Sequence, residues 1–267
     1  MSSKHYWRKG SEFLIEHSEL KGLKYLLYFA IYFMSTMSIN FTNTIKDLNE
    51  SGKLFASFVS FDGLSLVILK SIGMISILWI SYFLVSLVTN RNQKFKDVEV
   101  KPLIKIFVIR FIMELIALIP IYFLLGGLFA TSGEIAASMI TLLLFIPLSI
   151  LSIYVSLTMP IVPYVVNKFE DLSLWETIYL SFNLAKGNRW FIFKMNIRTI
   201  PAFFLSGLII GFTAGFFLGM TYTLDNKAMV AFMVIAYYAV FILVSKIMMK
   251  AEIKKTAGIY IMLEDNQ

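Results

Sequence analysis

The segment 207–219 reads GLIIGFTAGFFLG and has a glycine at every fourth position of a long apolar stretch. Glycine in a helix interior costs about 1 kcal/mol relative to alanine, so four glycines in register need a physical reason. Lipid tails are as apolar as leucine, and spanning helices therefore associate largely through close packing at small residues. The segment predicts a helix with one groove for close helix packing, formed by Gly207, Gly211, Gly215 and Gly219.

Two kinds of partner can fill this glycine groove. We expect another helix of the same chain, for which Gly126 and Gly127 offer a matching small-residue site. The alternative is a homodimer through the fifth span, or a mobile helix in a transport pathway. Under either alternative, leucine at Gly211 and Gly215 is expected to disrupt assembly or folding by forcing the backbones apart.

The composition around this segment is that of an all-α, polytopic membrane protein. Of 267 residues, 58% are hydrophobic and 15% are charged, whereas about a quarter of a soluble chain is charged. The apolar residues form blocks of about 20, the length that a helix needs to cross a bilayer. The sequence predicts a single membrane domain with six spans, at about 23–41, 64–88, 107–130, 137–159, 195–219 and 229–248.

The basic residues alternate between the two sides of this predicted topology. The N-terminal segment, the connections after the second and fourth spans and the C-terminal end hold 20 of the 24 lysines and arginines. The remaining connections hold three, and Lys70 lies within a span. Because cytoplasmic loops are the basic ones, we expect a multi-pass protein of the cell (cytoplasmic) membrane with both termini in the cytoplasm. The net charge of +7 thus reflects orientation in a lipid bilayer and not binding to nucleic acid.

Three ionisable residues fall within predicted spans, where such groups are functional candidates. Arg110 and Glu114 are four residues apart on the third span, so they share a helix face and are able to pair. Both lie near the cytoplasmic edge, which favours a structural role over a substrate or proton site. Lys70 is expected to reach the outer interface.

Two amphipathic helices are expected at the cytoplasmic interface, at about 11–22 and 173–186. The second begins with Ser173 and Glu176, the spacing of a capping box, and Gly187 is suited to its end. Its aromatic face would lie among the lipid headgroups. The anchoring residues are expected to be Trp175, Lys186, Arg189 and Trp190.

The same stretch carries a resemblance to known proteins. An aliphatic-rich helix containing Ser181, followed by the run KGNRW at 186–190 and a span, resembles a group of bacterial six-span membrane proteins of no established chemistry. That group includes the membrane domain of some glycerophosphodiester phosphodiesterases. The resemblance implies a bacterial cytoplasmic-membrane protein; the phosphodiesterase activity belongs to a separate soluble domain with metal ligands that this chain lacks.

The sequence offers little for catalysis, a metal or a cofactor. There is no cysteine, and the only histidines are His5 and His17, near Glu12 and Glu16 in the N-terminal segment. Solvated residues explain that cluster better than a metal site does, and Glu114 is the one clear carboxylate within a span. We therefore expect a protein that is not an enzyme and that acts in envelope maintenance or protection, including immunity against membrane-active peptides. The alternative is the six-span permease subunit of an ABC-type exporter, which would need a separate ATPase subunit.

Overall fold

The computed structural model describes residues 2–36, 48–60, 63–89, 99–130, 135–223 and 226–266, and these are almost entirely helical. Nine α-helices follow one another along the described chain, with short 3₁₀ turns at Ser18–Lys21 and Met159–Ile161. The helices are α1 (Ser3–Glu16), α2 (Leu23–Thr36), α3 (Glu50–Val59), α4 (Gly63–Val88), α5 (Val100–Ala130), α6 (Ile135–Thr158), α7 (Val162–Lys168), α8 (Leu174–Thr223) and α9 (Lys227–Asp265).

Five of these helices contain stretches long and apolar enough to cross a membrane, which confirms the multi-pass, all-helical prediction in its main features. Their stretches are Val67–Val88, Val100–Leu124, Leu143–Lys168, Leu174–Thr221 and Lys227–Asp265. The first predicted span, 23–41, corresponds to α2, whose apolar part Tyr25–Ser35 is shorter than a typical spanning helix. The end of that predicted span lies outside the described residues.

The chain forms two compact units by its internal contacts. The first unit comprises Met1–Ser3, Ser81–Lys194 and Met262–Gln267; the second comprises Lys4–Ile80 and Met195–Ile261. The long helices α4, α8 and α9 each contribute to both units.

The second unit has an aromatic-rich core. Phe33 of α2 lies 5.4 Å from Phe241 of α9, and Phe55 of α3 lies 6.1 Å from Phe217 of α8, measured between ring centroids. Offset and edge-on aromatic pairs of this kind add to the free energy gained by burying the rings. Helix α3 is fixed further by Asn49, which caps it by accepting from the Gly52 amide at 2.8 Å. The core residues are Ala30, Phe33, Phe55, Val59, Ile210, Ala214, Val230, Met233, Tyr237, Phe241, Val244 and Met248.

The first unit is built on α5 and α6, which pack against each other and are joined by a hydrogen bond from Ser152 Oγ to the Ala117 carbonyl at 2.6 Å. The fully buried Asn167 of α7 donates to Ser86 Oγ at 3.0 Å and accepts from Thr89 Oγ1 at 3.3 Å. Burying an amide is tolerated only when its hydrogen bonds are made. This polar network therefore fixes α7 against the end of α4.

Helix α8 corrects the predicted end of the interfacial helix. The capping box is present: the Ser173 amide donates to Glu176 Oε2 at 2.7 Å, and the Glu176 amide donates to Ser173 Oγ at 3.3 Å. The helix then continues through Gly187 to Thr223, so the prediction that it ends at Gly187 is wrong. A glycine costs a helix only about 1 kcal/mol, which its many neighbouring backbone hydrogen bonds offset.

Helix α1 also differs from the N-terminal helix predicted at 11–22. It occupies Ser3–Glu16, and a 3₁₀ turn takes up most of the remainder of the predicted range. One side of α1 is buried, including Tyr6 and Phe13, and it packs in the second unit against α9. The helix thus has a packing role within the protein.

Candidate functional site

The glycine groove lies on the surface of α8. Gly211, Gly215 and Gly219 are exposed, and a Cβ atom added at any of them would meet no described neighbour within 4 Å. Ile210 and Ala214, on the adjoining face of the same helix, are buried in the core of the second unit. The core of that unit thus forms without using the groove, and at these three glycines the expected internal packing is not present among the described residues.

Gly207 is partly exposed, whereas the surroundings of Gly126 and Gly127 lie outside what the structure describes. The expected contact between them therefore stays a prediction.

Aromatic side chains border the groove. Phe212 and Phe216 are 77% and 55% exposed, and their rings stack in parallel with centroids 6.4 Å apart. A ridge of side chains on another helix can pack into this strip of exposed backbone, while the two rings fit into a groove of that helix.

Other glycines, which the sequence does not mark, do permit close packing within the chain. A Cβ on Gly10 of α1 would collide with the Lys254 carbonyl oxygen of α9, and a Cβ on Gly258 of α9 would lie 2.7 Å from the Tyr6 carbonyl oxygen of α1. Gly73 of α4 likewise faces Ser35 of α2. These glycines are single and have no four-residue register, so no repeat in the sequence marks them.

Arg110 and Glu114 of α5 are close enough to interact electrostatically, but they do not form a direct ion pair. The structure describes no ion pair within 4.0 Å between Arg110 and Glu114, although both lie on α5. Arg110 Nε is shielded from solvent without a hydrogen-bond partner among the described residues. Glu114 and Lys70 are exposed on their helices. The two charges attract each other without direct contact, and the predicted pairing stays a prediction.

A different charged cluster, absent from the sequence predictions, joins α7 to the end of α9 in the first unit. Tyr164 Oη donates to Glu264 Oε1 at 2.6 Å, and Lys168 Nζ donates to both Glu264 oxygens at 3.0 and 3.1 Å. Lys168 Nζ also lies 3.2 Å from Tyr164 Oη. Tyr164 is fully buried, whereas the ion pair is about a third exposed. The cluster has the geometry of a structural connection, since each group satisfies the others.

The predicted anchoring residues lie on the first half of α8. Trp175 and Trp190 are 73% and 65% exposed, Lys186 is exposed, and the Arg189 guanidinium stacks 4.2 Å from the ring centre of Tyr154 on α6. Exposed tryptophans beside cations are the usual composition of a helix at the membrane–water boundary.

Residues 187–194 of α8 border an open cavity of about 330 Å³ in the first unit. Lys194 Nζ lies 5.0 Å from the ring centre of Trp190 at its edge. The lining residues are Gly187, Asn188, Trp190, Phe191, Lys194, Met262 and Asn266.

His17 contacts Phe13, four residues earlier in the N-terminal segment. His17 Nδ1 lies 3.1 Å from the Phe13 carbonyl oxygen, and its ring stacks on Phe13 with centroids 4.2 Å apart. Glu12 pairs with Arg8 at 3.3 Å. Among the residues that the structure describes, no three histidine, aspartate or glutamate side chains are grouped so that they could hold a metal ion.

Comparison with known proteins finds no relative of this chain. No protein-family model, no curated protein and no solved structure matches the chain.

Proposed function

We propose that this chain is a non-catalytic, multi-pass protein of the bacterial cytoplasmic membrane, with both termini in the cytoplasm, that acts in envelope maintenance or protection. Protection against membrane-active peptides is the specific role that we favour. The bacterial origin is supported by the resemblance of residues 173–190 to the six-span bacterial group, and the orientation by the distribution of lysine and arginine.

The observation that carries the proposal is the open glycine groove of α8. A membrane-active peptide does its damage inside the bilayer, so a protein without catalytic groups has to oppose it through contacts made there. Gly211, Gly215 and Gly219 present backbone at the protein surface, where a second helix can approach closely. We propose that a second copy of this chain occupies the groove and that the homodimer is the protective unit.

A survival assay tests this function. The chain is expressed in a bacterium that is sensitive to a cationic membrane-active peptide, and survival is compared with that of cells carrying the Gly211→Leu/Gly215→Leu variant. We expect the wild-type chain to raise survival and the variant to lose this effect, because leucine side chains would fill the groove. Equal amounts in the membrane and equal thermal stability in detergent show that the variant is folded.

The matched control is Ala231→Leu/Ala239→Leu, which adds similar bulk at two exposed positions of a different helix, α9. This control should protect as well as the wild type does. Survival that is unchanged by filling the groove, or equally reduced by both double variants, would contradict the proposal.

The permease subunit of an ABC-type exporter is the second candidate, and one feature of α8 favours it. Trp175 and Tyr179, one turn apart, are 73% and 70% exposed. The Lys105 ammonium group donates to the carbonyl oxygens of Leu172 and Glu170 just before them, which fixes the start of this helix. An exposed aromatic pair on a fixed helix is suited to docking of a separate ATPase subunit.

Co-purification separates the two candidates. The chain is isolated from its native membrane in mild detergent, and the accompanying proteins are identified by mass spectrometry. A stoichiometric ATPase that is lost in the Trp175→Ala/Tyr179→Ala variant would establish the permease function in place of the protective one. An eluate that contains only self-associated copies of this chain supports the protective homodimer.

A further inference from the structure

The cavity beside Trp190 has the composition of a small polar site with an apolar floor. Phe191 and Met262 supply the apolar surface, with Met262 buried. The polar residues of the lining are Lys194, Asn188 and Asn266. A site that has one cation, two amides and an apolar side suits an amphipathic anion.

Asn188 of α8 and Asn266, which follows the last residue of α9, each contact a residue four positions earlier in the chain. Asn188 Nδ2 donates to the Leu184 carbonyl oxygen at 2.9 Å, and Asn266 Nδ2 lies 3.0 Å from Met262 Sδ. Each amide nitrogen carries a second hydrogen, which these single contacts do not use. Donors held in this way bind an anion with little additional loss of conformational entropy.

The charges around the cavity favour an anion. Lys186 lies two turns before Lys194 on α8, and Lys194 itself lines the cavity. The nearby carboxylate of Glu264 is already held by Lys168 and Tyr164, which reduces its repulsion of an incoming negative charge. Asp265 does not line the cavity. The cavity therefore presents a positive charge that its acidic neighbours do not cancel directly.

The position of the cavity along α8 indicates where the anion comes from. The lining residues of α8 end at Lys194, immediately before the apolar run predicted to cross the bilayer from 195. Trp190, 65% exposed at the cavity edge and stacked on Phe193 with ring centroids 5.3 Å apart, is the residue type that is enriched at the headgroup level. Basic pockets at this level on the cytoplasmic side bind phosphorylated lipid headgroups.

The geometry points to a phosphate-binding site in this cavity, occupied by the headgroup of an anionic phospholipid. Lys194 contacts the phosphate, the amides of Asn188 and Asn266 donate to its oxygens, and Phe191 with Met262 lies against the glycerol and the first acyl carbons. The site does not depend on the glycine groove, so the two proposals stand or fall separately.

Native mass spectrometry of the full chain tests this site. The protein is released from detergent with phosphatidylglycerol or with diacylglycerol, which has the same acyl chains and no phosphate. We expect selective retention of phosphatidylglycerol and a loss of affinity of about fivefold or more in Lys194→Gln, the loss of one close cation. Lys194→Arg should retain most of the binding. The matched control is Lys250→Gln, which removes an exposed cation of α9 outside the cavity and should leave retention unchanged.

A competition experiment identifies the source of the phosphate. Glycerol 3-phosphate and inorganic phosphate at millimolar concentration should fail to displace phosphatidylglycerol; displacement by either would support the phosphate site but assign it to a soluble phosphate compound. Equal losses in Lys194→Gln and Lys250→Gln, or equal retention of diacylglycerol, would overturn the proposal. Thermal midpoints recorded without lipid show whether each variant is folded.

Discussion

At the scale of single residues, glycine has two opposite roles in this protein. At Gly10 and Gly258 the absence of a side chain lets α1 and α9 cross with their backbones in contact. At Gly211 and Gly215 the absence of a side chain leaves surface that no described residue covers. The first pair contributes to folding of the second unit, and the second pair is available for association.

Alanine substitutions separate these roles. Gly10→Ala and Gly258→Ala should each lower the free energy of unfolding by about 1–3 kcal/mol, because the new methyl group meets a backbone oxygen that cannot rotate away. Gly211→Ala should leave stability equal or raise it by up to about 1 kcal/mol, since alanine is the better helix former. Denaturation midpoints in a detergent that keeps the chain monomeric provide the measurement. If Gly10→Ala is as stable as the wild type, the close crossing of α1 and α9 is wrong.

At the scale of the elements, the sequence predicts the helices far better than their ends. Long apolar blocks mark the positions of α4, α5, α6 and α9 because a spanning helix needs an apolar surface over its whole length. The capping box at Ser173 and Glu176 is also read correctly, since it depends on residues only three apart. The continuation of α8 past Gly187 is not predicted, because local propensity says little about a helix supported by distant contacts.

A substitution at Gly187 checks the continuous helix. A Cβ at this position would meet nothing within 4 Å, so Gly187→Ala should raise the free energy of unfolding by up to about 1 kcal/mol through its higher helix propensity. Gly187→Pro should destabilise the protein by about 3 kcal/mol or more by interrupting the helix. Thermal unfolding followed by circular dichroism measures both. Destabilisation by alanine would instead indicate a left-handed helix end at Gly187, as the sequence alone suggests.

The candidate sites show a similar division between local and distant information. Although their anchoring role stays a prediction, the exposed tryptophans and cations of α8 are identified from composition, because interfacial helices have a recognisable residue content. The cluster of Tyr164, Lys168 and Glu264 is not, since its members are up to 100 residues apart in the chain. The four-residue register predicts that the glycines form a groove. It cannot predict whether that groove faces this chain or another one.

At the scale of the whole molecule, we propose a membrane protein that works by contact and not by catalysis. Five described helices are long and apolar enough to cross a bilayer, and the surface of one of them carries the open groove. The central claim is therefore that two copies associate in the membrane through α8.

Disulfide cross-linking in native membranes tests this claim most directly, because the chain has no cysteine of its own. A single Gly215→Cys substitution places a thiol in the groove eight residues before the end of α8. The control is Ile235→Cys, an exposed position eight residues after the start of α9. The two thiols thus lie equally far along the chain from the facing ends of the two helices. After mild oxidation we predict a dimer band for Gly215→Cys that is much stronger than the band for Ile235→Cys. Bands of equal strength, or no dimer for Gly215→Cys, would contradict association through the glycine groove.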